Sequence, residues 1–187
     1  MKRLISFIAS GLLIVLLTCC QKNSKVNEIP DMIVYSGINK TLINIKKDSV
    51  ILSCSYVIFE IYKNPKAGTP DSLSVRITRN SPIPIGDCGN LFLNKSDAGY
   101  PAALNENMDI SDIGIWGSTD GQYNLSEFTG KGEKYLGMMT ESILNGVNSK
   151  RYAWIRIYCS SDNDTLKIID WAYNNVAYKS IKAGQMQ

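Results

Sequence analysis

The sequence predicts an all-β fold, a single antiparallel β-sandwich, with a barrel as the less favoured closure. Three observations point there. Short apolar segments rich in Val, Ile, Tyr and Trp recur along the chain. The intervals between them carry Pro, Gly, Asn, Asp and Ser, as in NPKAGTPDS (64–72), NSPIPIGDCGN (80–90), GSTDGQ (117–122) and SSDND (160–164). Such punctuation between short β-prone runs marks sandwiches and barrels. Finally, Leu73, Val75 and Ile77 alternate with Ser74, Arg76 and Thr78, the period of a strand with one wet face.

The elements follow in order. Strands are expected at residues 32–35, 41–45, 50–62, 73–78, 110–116, 135–143, 152–159 and 166–173. The run at 50–62 is almost continuously apolar and reads as one central strand. Residues 81–107, rich in Gly, Pro and Asn, read as long loops. Nothing offers a long helix, although residues 141–148 have room for a turn or two. The last two strands pair if residues 160–165 form their loop. Cys159 then faces Leu166, Ile157 faces Ile168, Ile155 faces Asp170 and Ala153 faces Ala172. On the other side Trp154 faces Trp171, Tyr152 faces Tyr173, Arg156 faces Ile169 and Tyr158 faces Lys167. A one-residue slip would exchange the faces.

The N-terminus sets an address. Lys2 and Arg3 precede an uncharged apolar run at residues 4–18, followed by Cys19 and Cys20. The run is short for a spanning helix, which needs about 20 apolar residues, and has the layout of an export signal. It resembles the lipobox of bacterial lipoproteins, with Leu17-Thr18-Cys19 before Cys20 or Leu16-Leu17-Thr18 before Cys19. The resemblance implies lipidation at Cys20, with Cys19 the alternative, because Cys19 is smaller than β-branched Thr18 at the cleavage point. Residues 1–19 are then signal, 20–30 a polar tether and 31–187 one β domain. The expected location is the cell envelope, on the periplasmic side or the cell surface, with the membrane as partner through the N-terminal lipid.

Charge and composition exclude much else. Removing Lys2 and Arg3 from the 20 basic residues leaves 18 against 17 acidic. That balance lacks the electrostatic footprint of a nucleic-acid binder. The chain has no histidine, which removes Ser-His-Asp and Cys-His catalysis and His-ligated metals. No phosphate-loop, dinucleotide or C-x-x-C motif occurs, and no cofactor or metal is expected. Asp162 and Asp164 crowd a hairpin turn but lack the Gly and closing Glu of a calcium loop. Asp109 and Asp112 are no stronger.

The C-terminal half resembles a set of small secreted bacterial β-domain proteins of unassigned function. The residues that carry this are Tyr135-Leu136-Gly137, Trp154, the polar turn at 160–164, Asp170-Trp171-Ala172-Tyr173 and the closing Ala183-Gly184. The resemblance implies a β domain ending at the C-terminus and brings no catalytic residue.

Two site expectations remain. In an oxidising compartment Cys54 and Cys88 are the favoured disulfide, with Cys159 a buried small hydrophobe and three reduced thiols the alternative. Tyr152, Trp154, Trp171 and Tyr173 form an aromatic cluster with Arg156 beside it. As a flat platform it would stack sugar rings. As core it would bury about 150–250 Å² per ring, and burial is the expected state because four exposed aromatics make a patch monomers rarely carry. The chain therefore reads as a lipid-anchored envelope domain with a binding or structural, non-enzymatic role, carbohydrate binding being its specific form. A glycan or an envelope protein is the expected partner. The alternative is a carboxylate-dependent, glycosidase-like hydrolase.

Overall fold

The alternating and continuous apolar runs resolve into strands throughout a computed structural model that describes residues 30–43, 46–52, 55–64, 72–80, 90–118, 122–144 and 147–187. In chain order these are β1 (Ile33–Ile43), β2 (Lys47–Leu52), β3 (Ser55–Asn64), β4 (Ser72–Asn80) and β5 (Asn90–Lys95). The short strands β6 (Ala103–Leu104), β7 (Asp109–Ile110), β8 (Ile115–Ser118) and β9 (Gln122–Asn124) follow. The chain closes with β10 (Glu133–Leu144), β11 (Val147–Cys159), β12 (Thr165–Asn174) and β13 (Ile181–Lys182). One large sheet has the order β1-β12-β11-β10-β5-β8, with β6 also on β10. A second has the order β2-β3-β4-β9, and β7 pairs with β13. The fold is all-β, its sheets are antiparallel and unclosed, and the architecture is a β-sandwich.

The core lies between the two sheets. Val50, Val57, Phe59 and Ile61 from the smaller sheet meet Leu93, Leu136, Met138, Ile155, Ile157, Leu166 and Ile168 from the larger one. Leu125 and Phe128, just beyond β9, plug the same layer. Each such side chain contributes about 1.5–3 kcal/mol by leaving water.

Several predicted elements change. Residues 50–62 are not one strand but the β2–β3 hairpin, in which Val50 opposes Val57. The apolar run is continuous because two neighbouring strands both line the core. Residues 32–35 and 41–45 belong largely to one strand, β1, irregular between Gly37 and Lys40, where Asn39 has φ 53°. Residues 141–148 hold no helical turn in their described part, since β10 and β11 run out to the Leu144–Val147 pair. Strands β5 and β6 lie within the stretch expected to be loops.

The large sheet is apolar on both faces. Its outer face carries Leu104, Tyr135, Met139, Tyr152 and Trp154, covered by Ile110 of β7 and by Ile181 and Ala183 of the C-terminal segment. Trp154 is 1% exposed. Its indole Nε1 donates to the Gln185 carbonyl at 3.2 Å, and Tyr135 meets its ring edge-on at 5.3 Å. Gly184 makes the covering turn with φ +84°, its missing side chain leaving room for the Tyr135 hydroxyl.

A β-bulge corrects the hairpin register. Cys159–Leu166, Tyr158–Lys167 and Ile157–Ile168 pair as expected, but the register then shifts. Ile169 is the extra residue, so Arg156 opposes Asp170, Ile155 opposes Trp171, Trp154 opposes Ala172 and Ala153 opposes Tyr173. The shift brings Arg156 onto Asp170. Arg156 Nε donates to Asp170 Oδ1 at 2.9 Å, its Nη2 donates to Oδ2, and Tyr35 Oη donates to Oδ2 at 3.1 Å. The Asp170 side chain is 3% exposed. Its hydrogen bonds to Arg156 drive the guanidinium pKa up.

Trp154→Ala should lower unfolding free energy in urea by about 3–5 kcal/mol, since it opens a cavity beneath the C-terminal cover. Arg156→Met should cost about 3 kcal/mol or more, by leaving a buried carboxylate unpaired. Adding Asp170→Leu to that variant should recover most of the loss, and a double variant no more stable than Arg156→Met would contradict the account.

Candidate functional site

The bulge divides the aromatic cluster. Before it, a regular hairpin would set all four rings on one face. After it, Tyr152 and Trp154 lie on the outer face, in the layer under the C-terminal segment. Trp171 lies on the inner face with the sandwich core, with Tyr173 packed against that core. The four-ring platform expected from sequence is therefore not formed, and Arg156 belongs to the outer face beside Asp170. Tyr152 Oη is buried, and desolvation, together with the facing Asp112 carboxylate, raises its pKa.

The inner pair makes the more open site. Trp171 and Tyr173, two apart on β12, stack with ring centroids 5.5 Å apart and planes at 9°. They form the base of a groove of about 480 Å³ between β1 and β2, which stand at one end of their respective sheets. Val34 and Ser36 of β1 and Ser49 and Ile51 of β2 line its walls. Ile51 is 52% exposed. Lys40 Nζ reaches across from β1 to Asp48 Oδ1 of β2 at 2.6 Å. The groove thus offers stacked aromatic planes, two hydroxyls and a solvent-facing ion pair.

The sequence pointed to Trp171 and Tyr173 but not to the wall. Lys40, Asp48, Ser36 and Ser49 carry no local signal, because β1 and β2 belong to different sheets and approach only in the folded chain.

The remaining candidates sit apart. Cys159 is buried in the sandwich core, and desolvation pushes its thiol from 9.0 up to about 12. The proposed Cys54–Cys88 bond lies outside the described residues, as do Cys19 and Cys20. Asp162 Oδ1 accepts from the Asp164 backbone at 3.1 Å, and Ser160 Oγ accepts from the Thr165 backbone at 2.9 Å. These contacts close the hairpin turn. Asp112 pairs with Lys150 at 2.8 Å. Among the described residues no three His, Cys, Asp or Glu side chains converge as metal ligands. Glu133 and Asp170 both bind Arg156, which holds a cation where a glycosidase leaves room for a sugar.

Compared with known proteins, the chain matches no family model, and no significant match to a curated protein or a solved structure was found.

Burial of Cys159 makes a pH prediction. A raised native pKa means the folded state keeps a proton that the unfolded chain loses. The contribution is whole below the ordinary thiol range and declines as pH rises through it towards 12. Cys159→Ala should therefore flatten the alkaline limb of the stability–pH curve. Native protein at pH 8 should resist alkylation at Cys159 until it unfolds, as followed by peptide mapping.

Proposed function

We propose that this chain is a lipid-anchored cell-envelope protein whose β-sandwich binds carbohydrate in the groove between β1 and β2, without catalysing a reaction. The stacked Trp171–Tyr173 pair at the base of that groove carries the reading. A sugar ring presents an apolar C–H face and a rim of hydroxyls. Aromatic planes take the face, and charged or hydroxyl side chains take the rim. Tyr173 is half-buried and Trp171 almost fully so, so Tyr173 is the ring that meets the sugar and Trp171 braces it. Lys40, Ser36 and Ser49 stand within the same walls to hydrogen-bond hydroxyls, with Asp48 paired to Lys40. A groove that runs along the surface suits a length of glycan chain better than an enclosed small molecule.

The anchor is the lipobox-like N-terminus, with acylation at Cys20 or at Cys19. Each methylene of an acyl chain adds about 0.8 kcal/mol of membrane affinity, so several chains on one cysteine would hold the domain at a membrane surface. The polar stretch at residues 20–30 would serve as the tether that keeps the groove near the envelope.

Replacing Cys19 and Cys20 together with Ser should move the protein from the membrane to the soluble fraction and abolish incorporation of labelled fatty acid. Native protein that is already soluble and carries no acyl mass would refute the anchor. On a glycan array the folded domain should bind a subset of polysaccharides. Tyr173→Ala should weaken that binding at least tenfold, about 1.4 kcal/mol, in a domain that still folds. A folded domain that binds no glycan would refute the groove.

A further inference from the structure

A second cavity, of about 690 Å³, opens at the other end of the large sheet, where β5 and β8 meet the loops before and after β7. Asn94 of β5 lines it. This side chain is on the outer face of the sheet, opposite Trp116, and is only 8% exposed. Among the described residues nothing hydrogen-bonds its carboxamide. Its polar atoms reach the cavity rather than being sealed off, since Tyr152 Oη is the fully buried side-chain polar atom without a geometric partner among the described residues, and an amide that opens on a cavity can exchange water for a ligand there.

The surrounding backbone makes room for that amide. A Cβ on Gly137 of β10 would sit 2.9 Å from the Asn94 Cβ, and a Cβ on Gly114 would sit 2.4 Å from Asn94 Nδ2. Any side chain at either position would push the amide out of its slot.

We propose that this cavity is a second binding site, specific for an N-acetylated sugar residue whose acetamido group is held by the Asn94 carboxamide. Nδ2 donates to the acetyl carbonyl, and Oδ1 accepts from the neighbouring ring hydroxyl. Leu104 and Met108 form an apolar wall that suits the acetyl methyl. Ser111, Ser180, Asp109 and Lys95 stand around the rest of the cavity. Their hydroxyls and their opposed charges suit several sugar hydroxyls and disfavour a strongly charged ligand. The volume lies within the about 300–1,000 Å³ of small-molecule sites and admits one or two rings. A peptide is the poorer fit, because peptides dock along extended strand edges. Here the edge strand β8 has four residues and follows a tight turn closed by the Gly114 N–H on the Ser111 carbonyl.

The site is independent of the β1–β2 groove, and the test separates them. The full-length protein would be titrated with N,N′-diacetylchitobiose and with cellobiose, which share a backbone and differ in the acetamido groups. Saturation-transfer NMR would map the bound atoms. Chitobiose should bind saturably, with the strongest transfer at its acetyl methyl, and cellobiose should bind at least tenfold more weakly. Asn94→Ala should lower chitobiose affinity at least tenfold, whereas Tyr173→Ala should leave it unchanged. The wild-type comparison of the two sugars stands even if Asn94→Ala folds poorly. Absence of saturable chitobiose binding would overturn the proposal. So would equal affinity for cellobiose or for acetyl-dialanine amide, or a loss with Tyr173→Ala instead of Asn94→Ala. Glycan binding that depends on Tyr173 alone would support the groove and remove this site.

Discussion

Ile169 is one residue more than a regular β11–β12 ladder can accommodate, and the side-chain faces of the molecule depend on it. A strand alternates strictly, so an unpaired residue exchanges the faces of everything beyond it. Ahead of the bulge, Leu166 and Ile168 point into the sandwich. Beyond it, Asp170 reaches the outer face, and Trp171 returns to the core opposite Ile155. The neighbouring strand β1 is irregular at the same level, between Gly37 and Lys40, so both flanking ladders absorb the insertion. The Arg156–Asp170–Tyr35 cluster fastens the kink from outside. Its buried carboxylate is satisfied by charge-assisted hydrogen bonds that only the shifted register aligns.

The same displacement explains how one sheet supports two apolar layers. The inner layer is the ordinary sandwich core. The outer one gathers around Trp154 and is closed by the segment that ends at the C-terminus, with Gly184 turning so that Gln185 meets the indole. A sheet covered on both sides leaves its ends as the places where side chains remain open to solvent. Both candidate sites lie there, the β1–β2 groove at one end and the Asn94 cavity at the other.

The two sites differ in kind. The groove is a shallow feature whose affinity would rest on ring stacking, which tolerates many sugars. The cavity is lined around one sheltered amide, and a buried hydrogen-bonding group discriminates sharply because a ligand lacking the complement leaves it unpaired. Together the two proposed sites would give the domain breadth at one end and selectivity at the other.

Much of this was legible in the sequence by itself. Period-two alternation, the clusters of Gly, Pro and Asn, and the aromatic-rich C-terminal pair determine an all-β chain and the existence of its main strands, because those signals act over a few residues. The near half of the final hairpin, from Cys159–Leu166 to Ile157–Ile168, was legible for the same reason. The bulge was not, since no local feature of Ile169 distinguishes it from its neighbour Ile168. Pairing across three strands and the burial of Asp170 against Arg156 select the shifted register. The hairpin within residues 50–62 was hidden because both of its strands face one core. The walls of the groove and the slot around Asn94 come from residues far apart in the chain, among them Ser49 with Tyr173 and Gly114 with Gly137. Only the tertiary structure decided those, because spacing between strands of different pairings is set by packing and leaves no periodic trace in the sequence.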